Sequence, residues 1–288
     1  MSWSTDKRGI GYLVSGIWSK IKIWKSTHAL LRKQIHQILD TRYQIRLAFL
    51  LILFSGSFCA SAATFQKIAP GIEYVQLLPS PDSATTLHVL RLDLKQVRVK
   101  VLDARDFKSS ALSAKQFAEK SGSLVAINAN FFNEKQQPLG LILQDGKLKK
   151  PPQNTAWWGV LLLDGHAAKI GKIASADETK GFDEGVQSGP RLVVSGKNPK
   201  LKSEYSPKSA VGLDRKGRLY LIASEGSMNI QDLAKFLALS EKQGGLALVD
   251  ALNLDGGSST QLFAKVGDLK ISVTGFNQVP IGLGVFRR

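Results

Sequence analysis

Alternating apolar and polar residues run through much of the chain from residue 85 onward and predict more strands than helices. Residues 85–102, TTLHVLRLDLKQVRVKVL, place His88 and the three leucines that follow it on one face, and valines at alternate positions then resume that face. This pattern predicts either one long strand or a hairpin. Continuous apolar runs at residues 124–128 and 246–254 predict buried strands.

Two segments have the spacing of amphipathic helices. In residues 110–122, Ser113 and Gln116 form the pattern of a capping box, and Gly122 marks the end. Residues 229–245 form the clearest helix of the sequence, which is expected to end at Gly244 or Gly245.

Turn signals connect these elements. Asp145-Gly146 and Asp164-Gly165 predict hairpin turns, and residues 209–224 predict a hairpin around residues 214–217. The polar stretches 174–188 and 195–207 are expected to be loops. Many strands, few helices and several hairpins predict the α+β class: a mixed, largely antiparallel sheet with a few packed helices, in a single domain.

The first 63 residues differ from the rest. The apolar run LAFLLILF, residues 47–54, lies behind Arg42 and Arg46 and is followed by small residues up to Ala63, a combination typical of a secretory signal. We therefore expect a basic N-terminal extension with a signal or anchor segment over 1–63, a functional domain over 64–288, and a periplasmic or cell-envelope location. The alternative is an uncleaved anchor, and membrane contact is then expected only through this segment.

Charge and cysteine content narrow the chemistry. The formal net charge is +16, and residues 1–63 hold nine basic and two acidic residues, so residues 64–288 carry +9. This balance favours anionic partners such as phosphorylated glycans, although a solvated basic surface is an equal alternative. No basic run interleaves with aromatic residues, so no nucleic-acid partner is expected. The single cysteine, Cys59, lies in the leader, which excludes cysteine chemistry and disulfides from 64–288.

Two strand ends carry polar side chains in the same arrangement. AINANFF places Asn128 and Asn130 beyond one apolar strand, and ALNLDGGSST places Asn253 and Asp255 beyond another. Residues two apart on a strand point to one face, so each pair is able to direct two polar groups into one cavity. The alternative is that these residues only close turns.

The glycine-rich turn after Asp255 suggests an anion site. Gly256 and Gly257 lack side chains, so their N–H groups are expected to face a ligand, and Ser258 adds a hydroxyl group. The turn is neither a Walker loop nor a serine-hydrolase elbow. Beyond the leader only His88 and His166 remain, which argues against histidine metal sites and Ser-His catalysis. A binding site for Ca²⁺ or Mg²⁺, formed by oxygen ligands that include Asp255, remains an alternative.

Arg191 in SGPRLVVSG follows a Gly-Pro turn, and its guanidinium group suits a phosphate. A surface ion pair is the alternative. Trp157 and Trp158 offer a face on which a sugar is able to stack, although core packing is the commoner role of such a pair.

The four segments AINANFF, SGPRLV, SAVGLD and ALNLDGGSST occur in this order, and together they resemble the phosphodiester glycosidase family over roughly residues 85–288. The resemblance implies a mixed α+β fold and hydrolysis of a sugar-1-phosphodiester with release of the free sugar. It also implies site positions at Asn128, Asn130, Arg191 and Asp255–Gly257. Ala129 and the short DGGSS depart from the family pattern, so the sugar itself is not implied.

The expected function is therefore that of an exported hydrolase acting on a sugar phosphodiester or phosphorylated glycan, with Asp255 as base or nucleophile. Alternatives are a non-catalytic envelope protein that binds anionic glycans and a metal-dependent hydrolase of another phosphoester. The candidates for a second catalytic carboxylate are Glu73, Glu134, Glu204 and Glu225, and the sequence does not rank them. The expected catalytic residues are Asp255 and Arg191, and the expected substrate-binding residues are Asn128, Asn130, Asn253, Gly256, Gly257 and Ser258.

Overall fold

A computed structural model describes residues 32–33, 64–79 and 84–288. Within the last two ranges the chain forms 19 strands and two α-helices, so antiparallel sheet prevails. The signal or anchor segment predicted at 47–63 lies outside the described residues. Among the described helices, none combines the length and apolarity that crossing a membrane requires.

The strands follow one another along the chain within these bounds: β1 Gln66–Ala69, β2 Ile72–Leu77, β3 Thr86–Leu92, β4 Val97–Asp103, β5 Val125–Asn128, β6 Ile142–Gln144, β7 Lys147–Lys150, β8 Gly159–Leu163, β9 Ala168–Gly171, β10 Glu184–Ser188, β11 Arg191–Val193, β12 Tyr205–Ser206, β13 Ser209–Leu213, β14 Leu219–Glu225, β15 Met228–Asn229, β16 Asp250–Asn253, β17 Leu262–Val266, β18 Leu269–Val273 and β19 Ile281–Arg287. The helices are α1 Ala114–Ser121 and α2 Ile230–Ala238.

Three larger sheets contain most of these strands. A seven-stranded sheet has the order β1-β2-β3-β14-β13-β16-β11, and two five-stranded sheets have the orders β7-β6-β10-β8-β9 and β18-β17-β5-β19-β4. The short pair β12-β15 forms a separate ribbon. The largest apolar cluster takes residues from all three larger sheets, so one core joins them.

Each helix covers one sheet. Helix α1 is capped at its start by Ser113, whose side chain accepts a hydrogen bond from the Gln116 backbone in the predicted capping box, and at its end by Gly122 in the left-handed conformation. Its buried Phe117 packs with residues of β5 and β17. Helix α2 begins after Asn229 and buries Leu233 and Leu237 in a cluster with residues of the seven-stranded sheet.

The pattern at residues 85–102 is neither one strand nor a hairpin. Strand β3 pairs with β2 and β14, whereas β4 pairs with β19 in another sheet. The alternation continues across residues 93–96 because both strands bury their apolar face in the same core cluster. Continuity of a hydrophobic face therefore predicted the core here but not the strand partners.

Helix α2 is shorter than predicted, ending at Ala238 rather than at Gly244 or Gly245. The chain turns back, and the N–H groups of Leu246, Ala247 and Leu248 donate to carbonyl groups near the helix end. These bonds satisfy the terminal carbonyl groups that a longer helix would otherwise use itself. The predicted hairpins around residues 145–146, 164–165 and 214–217 are confirmed.

The stretch 174–188 was predicted to be a loop, but its last five residues form the buried strand β10. Glu184 is buried there, and its carboxylate accepts hydrogen bonds from the backbone N–H groups of Val101 at 2.8 Å and Asp145 at 3.4 Å. Burial raises the pKa of Glu184 from 4.5 to about 7. The α+β expectation thus fits roughly, since the helices are few and strands prevail. The described strands form several sheets rather than one, and their pairings are antiparallel rather than mixed. The single domain over 64–288 stays a prediction.

Glu184→Gln is expected to become more stable relative to the unchanged protein as pH rises from about 5 to about 8. Because the folded protein holds the Glu184 proton more tightly than the unfolded chain does, the unchanged protein loses free energy of unfolding over that interval and the variant does not. Urea unfolding at a series of pH values measures the difference, with the exposed Glu134→Gln as control. A difference independent of pH would contradict the raised pKa.

Candidate active site

The two polar strand ends, which the sequence left open as site residues or turn residues, lie against each other. The Asp255 backbone N–H donates to the Ala129 carbonyl group at 2.8 Å. In return, Asn128 Nδ2 donates to the Asp255 carbonyl group at 2.6 Å. Since β5 and β16 belong to different sheets, these bonds join the two sheets at the point where Asp255 emerges.

Asn128 supports this junction from within the protein. Its side chain is fully buried, and Oδ1 accepts hydrogen bonds from Ser209 Oγ at 2.7 Å and from the Gln261 N–H group at 3.1 Å. With Nδ2 also bonded to Asp255, both ends of the amide are occupied by protein groups. Asn128 is therefore placed to position Asp255.

Beside this junction lies a cavity of about 720 Å³. Its lining combines aromatic, cationic, carboxylate and glycine residues: Phe131, Trp157, Gly189, Pro190, Lys200, Leu201, Lys202, Glu204, Ser206, Lys208, Ile230, Asn253, Asp255, Gly256 and Gly257. A cavity of this size, with a few polar groups among apolar walls, suits a small ligand.

Asp255 and Asn253 both reach this cavity. Burial raises the pKa of Asp255 from 3.8 to about 6, although hydrogen bonds from Ser259 and the Gly256 backbone lower it. Asn253 Nδ2 donates to the carbonyl groups of Gly189 at 3.1 Å and Leu254 at 2.6 Å. Its Oδ1 is buried and has no hydrogen-bond partner among the described residues, which leaves one acceptor for a ligand or a water molecule.

The glycine turn does not present the free N–H groups that the sequence suggested. The Gly257 N–H group donates to the Pro207 carbonyl group at 2.9 Å, and the Gly256 N–H group bonds to the Asp255 carboxylate. Ser258 Oγ accepts a hydrogen bond from Asn277 Nδ2 at 2.8 Å. The turn therefore holds Asp255 in place rather than forming a nest for an anion.

Four of the predicted site residues are not in the cavity lining: Asn128, described above, and Asn130, Arg191 and Ser258. Ser258 faces Asn277, and Asn130 Nδ2 donates to the Leu139 carbonyl group at 2.8 Å. The stem of Arg191 lies against Gly159, where an added Cβ atom would be 2.7 Å from Arg191 Cγ. The neighbouring Gly189 and Pro190 do line the cavity. Ligand contacts by these four residues stay predictions.

The cavity also brings in Glu204, one of the four open candidates for the second carboxylate. Its carboxylate bonds to Lys208 Nζ, which also donates to Ser206 Oγ at 2.7 Å. Burial raises the pKa of Glu204, but the hydrogen bonds from Lys208 and Ser206 and the charge of Lys208 outweigh it and leave the pKa below its ordinary value.

Lys208 was not singled out from the sequence. The residue is 1% exposed, and burial lowers the pKa of its ammonium group. Its backbone N–H group donates to Ser224 Oγ at 2.7 Å. The sequence did contain one signal for it: this lysine directly precedes the apolar strand SAVGL. Because a lysine is rarely buried without a charged partner, that position predicts an acidic residue nearby.

The other three glutamate candidates lie outside the lining. Glu73 pairs with Arg91, Glu225 pairs with His88, and Glu134 is exposed. His88 also bonds to Tyr74 through its second ring nitrogen at 2.9 Å, so it is a satisfied structural histidine.

Phe131 and Trp157 form the aromatic part of the lining. Their ring centroids are 6.3 Å apart, and both rings also contact Trp158, which is buried beneath them. Trp157 is half exposed, so the pair offers a supported aromatic face to the cavity.

No group of three or more His, Cys, Asp or Glu side chains suited to a metal occurs among the described residues. The Ca²⁺ or Mg²⁺ ion considered from the sequence stays a prediction.

Asn128→Ala is expected to lower the free energy of unfolding by about 2–4 kcal/mol, because it leaves three buried groups without their partner. Ser209→Ala removes only one of these bonds and is expected to cost about 1 kcal/mol. Urea unfolding measures both, with the exposed Asn154→Ala as control. Equal costs for Asn128→Ala and Asn154→Ala would contradict the supporting role of Asn128.

Comparisons with known proteins identify the family and the fold. The family profile described as phosphodiester glycosidase matches residues 121–286. No curated protein matches the chain. The catalytic domain of the zebrafish N-acetylglucosamine-1-phosphodiester alpha-N-acetylglucosaminidase, solved in a form auto-inhibited by its pro-peptide, is similar in structure, with a TM-score of 0.60 and 19% identity over 79% of this chain and 87% of that one.

A hypothetical protein from Synechocystis is similar with a TM-score of 0.56 and 17% identity, over 76% of this chain and 62% of that one. At such identities the structural likeness shows the fold alone. The family match covers more than half of the chain, and it includes Asn128, Arg191, Glu204 and Asp255. The protein therefore belongs to the phosphodiester glycosidase family.

Proposed function

We propose that the protein hydrolyses the glycosidic bond of a sugar-1-phosphodiester and releases the free sugar. The observation that carries this proposal is the pair of carboxyl groups in one cavity, Asp255 with a raised pKa and Glu204 with a lowered one. Two carboxyl groups whose environments separate their pKa values are the usual equipment of a glycosidase.

Asp255 acts as the general base in this proposal. With a pKa of about 6 it is mostly ionised at neutral pH, yet it is more basic than an ordinary aspartate. The anomeric carbon gains positive charge in the transition state, and the ionised Glu204 stabilises that charge. Lys208 and Ser206 keep Glu204 ionised, and the bond from Lys208 holds it in position.

The bonds change as follows. A water molecule attacks the anomeric carbon and gives one proton to the Asp255 carboxylate, while the bond between that carbon and the phosphate oxygen breaks. The electron pair of this bond stays on the phosphate oxygen, so the products are the free sugar and a phosphomonoester. Because a phosphate is a weak base, it leaves without a general acid, and Asp255 then returns its proton to solvent.

The sugar is placed against Phe131 and Trp157, whose rings suit the apolar face of a pyranose. Asn253 Oδ1 is available to accept a hydrogen bond from a sugar hydroxyl group. Export to the periplasm or cell envelope is part of the proposal and rests on the leader sequence.

Asp255→Asn is expected to lower the rate of sugar release by at least about 100-fold, because general-base catalysis contributes this much or more. Glu204→Gln keeps its shape but loses its charge and is expected to cost about 10- to 100-fold. The measurement is sugar release from a panel of sugar-1-phosphate methyl esters, with the exposed Asp268→Asn and Glu241→Gln as controls.

Proton NMR of the released sugar tests the role of Asp255 separately. Inversion at the anomeric carbon is expected for a general base, whereas retention would instead assign Asp255 as the nucleophile. Unchanged release by Asp255→Asn would overturn the site.

The raised pKa of Asp255 has two consequences for pH. Because the base must be ionised, kcat/KM is expected to rise through about pH 6 to a plateau; a fall above that pH would contradict the base role.

The folded state binds the Asp255 proton more tightly than the unfolded chain does, so ionisation of Asp255 lowers the free energy of unfolding between about pH 4 and pH 6, by up to about 2–3 kcal/mol.

Asp255→Asn has no carboxyl group to ionise at this position, so it does not lose free energy of unfolding between about pH 4 and pH 6. Its melting temperature is therefore expected to rise relative to that of the unchanged protein as pH increases across this range. Calorimetric scans at pH 4.5 and 7.5 measure it, again with Asp268→Asn as control. The same difference between protein and variant at both pH values would contradict the raised pKa.

A further inference from the structure

The cavity has a cationic part that the proposed chemistry does not use. We call it the lysine wall: Lys200, Leu201 and Lys202, all of which line the cavity. Lys200 and Lys202 are exposed, and neither has an ion-pair partner among the described residues. Lys208 differs, because it is buried and paired with Glu204.

The wall has no regular secondary structure, as predicted for this part of the chain, and hydrogen bonds to helix α2 and to the residue before it hold it in place. Asn198 Nδ2 donates to the Ala234 carbonyl group at 2.6 Å, and Gln231 Nε2 donates to the Leu201 carbonyl group at 2.8 Å. Next to the wall, Asn229 Nδ2 donates to Ser203 Oγ at 2.6 Å.

The backbone makes a further bond, since the Ile230 N–H group donates to the Glu204 carbonyl group at 2.9 Å. These four bonds fix the backbone on both sides of the lysine pair. A ligand that binds there does not need to order the segment first, so less conformational entropy is lost on binding.

The charges of the lining determine what this wall attracts. Glu204 and Lys208 neutralise each other, which leaves Asp255 as the one negative charge opposed by the two lysines. A phosphodiester carries one negative charge, and a phosphomonoester carries nearly two at neutral pH because its second pKa is about 6. Two lysines therefore favour the phosphomonoester, which is the charged product of the proposed reaction.

We propose that the lysine wall is the phosphate subsite: Lys200 and Lys202 bind the phosphate of the sugar-1-phosphodiester and hold the phosphomonoester product more tightly than the substrate. This inference rests on the proposed function. It also sets the direction of the substrate, with the sugar at Phe131 and Trp157 and the rest of the phosphoester extending past the lysine wall. The product then inhibits the enzyme by occupying this subsite.

The test uses the full chain and the double variant Lys200→Gln/Lys202→Gln. The matched control is Lys147→Gln/Lys149→Gln, since these two lysines are also exposed and two residues apart but lie on β7 outside the cavity. Titration calorimetry measures binding of glycerol 3-phosphate, with inorganic phosphate as a second probe. The wall variant is expected to bind glycerol 3-phosphate at least about tenfold more weakly than the control.

In turnover assays the wall variant is expected to raise KM and the inhibition constant of glycerol 3-phosphate with little change in kcat. Binding of glycerol 3-phosphate but not of inorganic phosphate supports a subsite for the ester rather than for free phosphate. Equal binding by the wall variant and the control overturns the subsite, as does a loss found only in Arg191→Gln.

The two proposals fail in different ways. Lysine-dependent binding without release of sugar from any phosphodiester keeps the subsite and overturns the proposed hydrolysis. Release of sugar with KM unchanged in the wall variant keeps the hydrolysis and overturns the subsite.

Discussion

The amide group of Asn128 is the contact on which the candidate site depends. It bonds to the carbonyl group of Asp255, the hydroxyl group of Ser209 and the N–H group of Gln261, and so joins segments of two sheets. A buried amide that satisfies three partners fixes their relative positions, because moving any one of them leaves a polar group without its bond. Asp255 is therefore directed into the cavity by the docking of the sheets.

Electrostatics within the cavity divide the work between two carboxyl groups. Asp255 is partly buried and has no cationic partner among the described residues, so its ionised form is disfavoured. Glu204 bonds to Lys208, so its ionised form is favoured. The first arrangement makes a stronger base, and the second makes a fixed negative charge. Asp255 weakens the folded state at the pH at which the proposed reaction runs, which is a common cost of a catalytic group.

The sequence predicted the part of the site that breaks local rules. Asn128, Asn253 and Asp255 are polar residues at the ends of apolar strands, where β propensity disfavours them, so their placement invited a functional explanation. Glu204 was one of four unranked candidates, and it lies with the lysine wall inside the polar stretch 195–207, which was predicted to be a loop. Lys208, which follows this stretch, was not singled out. The lysine wall is ordered by side-chain hydrogen bonds between its segment and helix α2, and such bonds leave no periodic signal in a sequence.

The fold shows the same division. Hairpins and caps were predictable because a few neighbouring residues determine them, as Ser113 and Gln116 do at helix α1. Strand partners were not predictable, since β3 and β4 continue one apolar face but join different sheets. Strand β10 was missed because Glu184 is compatible with a buried strand only through backbone donors 39 and 83 residues away.

The distance along the chain between Asn128 and Asp255 has a consequence for folding. Their contact closes a separation of 127 residues, and the cavity needs it together with residues from around positions 157 and 200. Contacts between residues so far apart in the sequence form slowly, because the chain loses the entropy of closing the long loop before any packing compensates for that loss. Hairpins such as β13-β14 need only nearby residues and can form much earlier. A chain can therefore acquire most of its secondary structure while still lacking the site, so catalytic competence reports the completion of the tertiary fold.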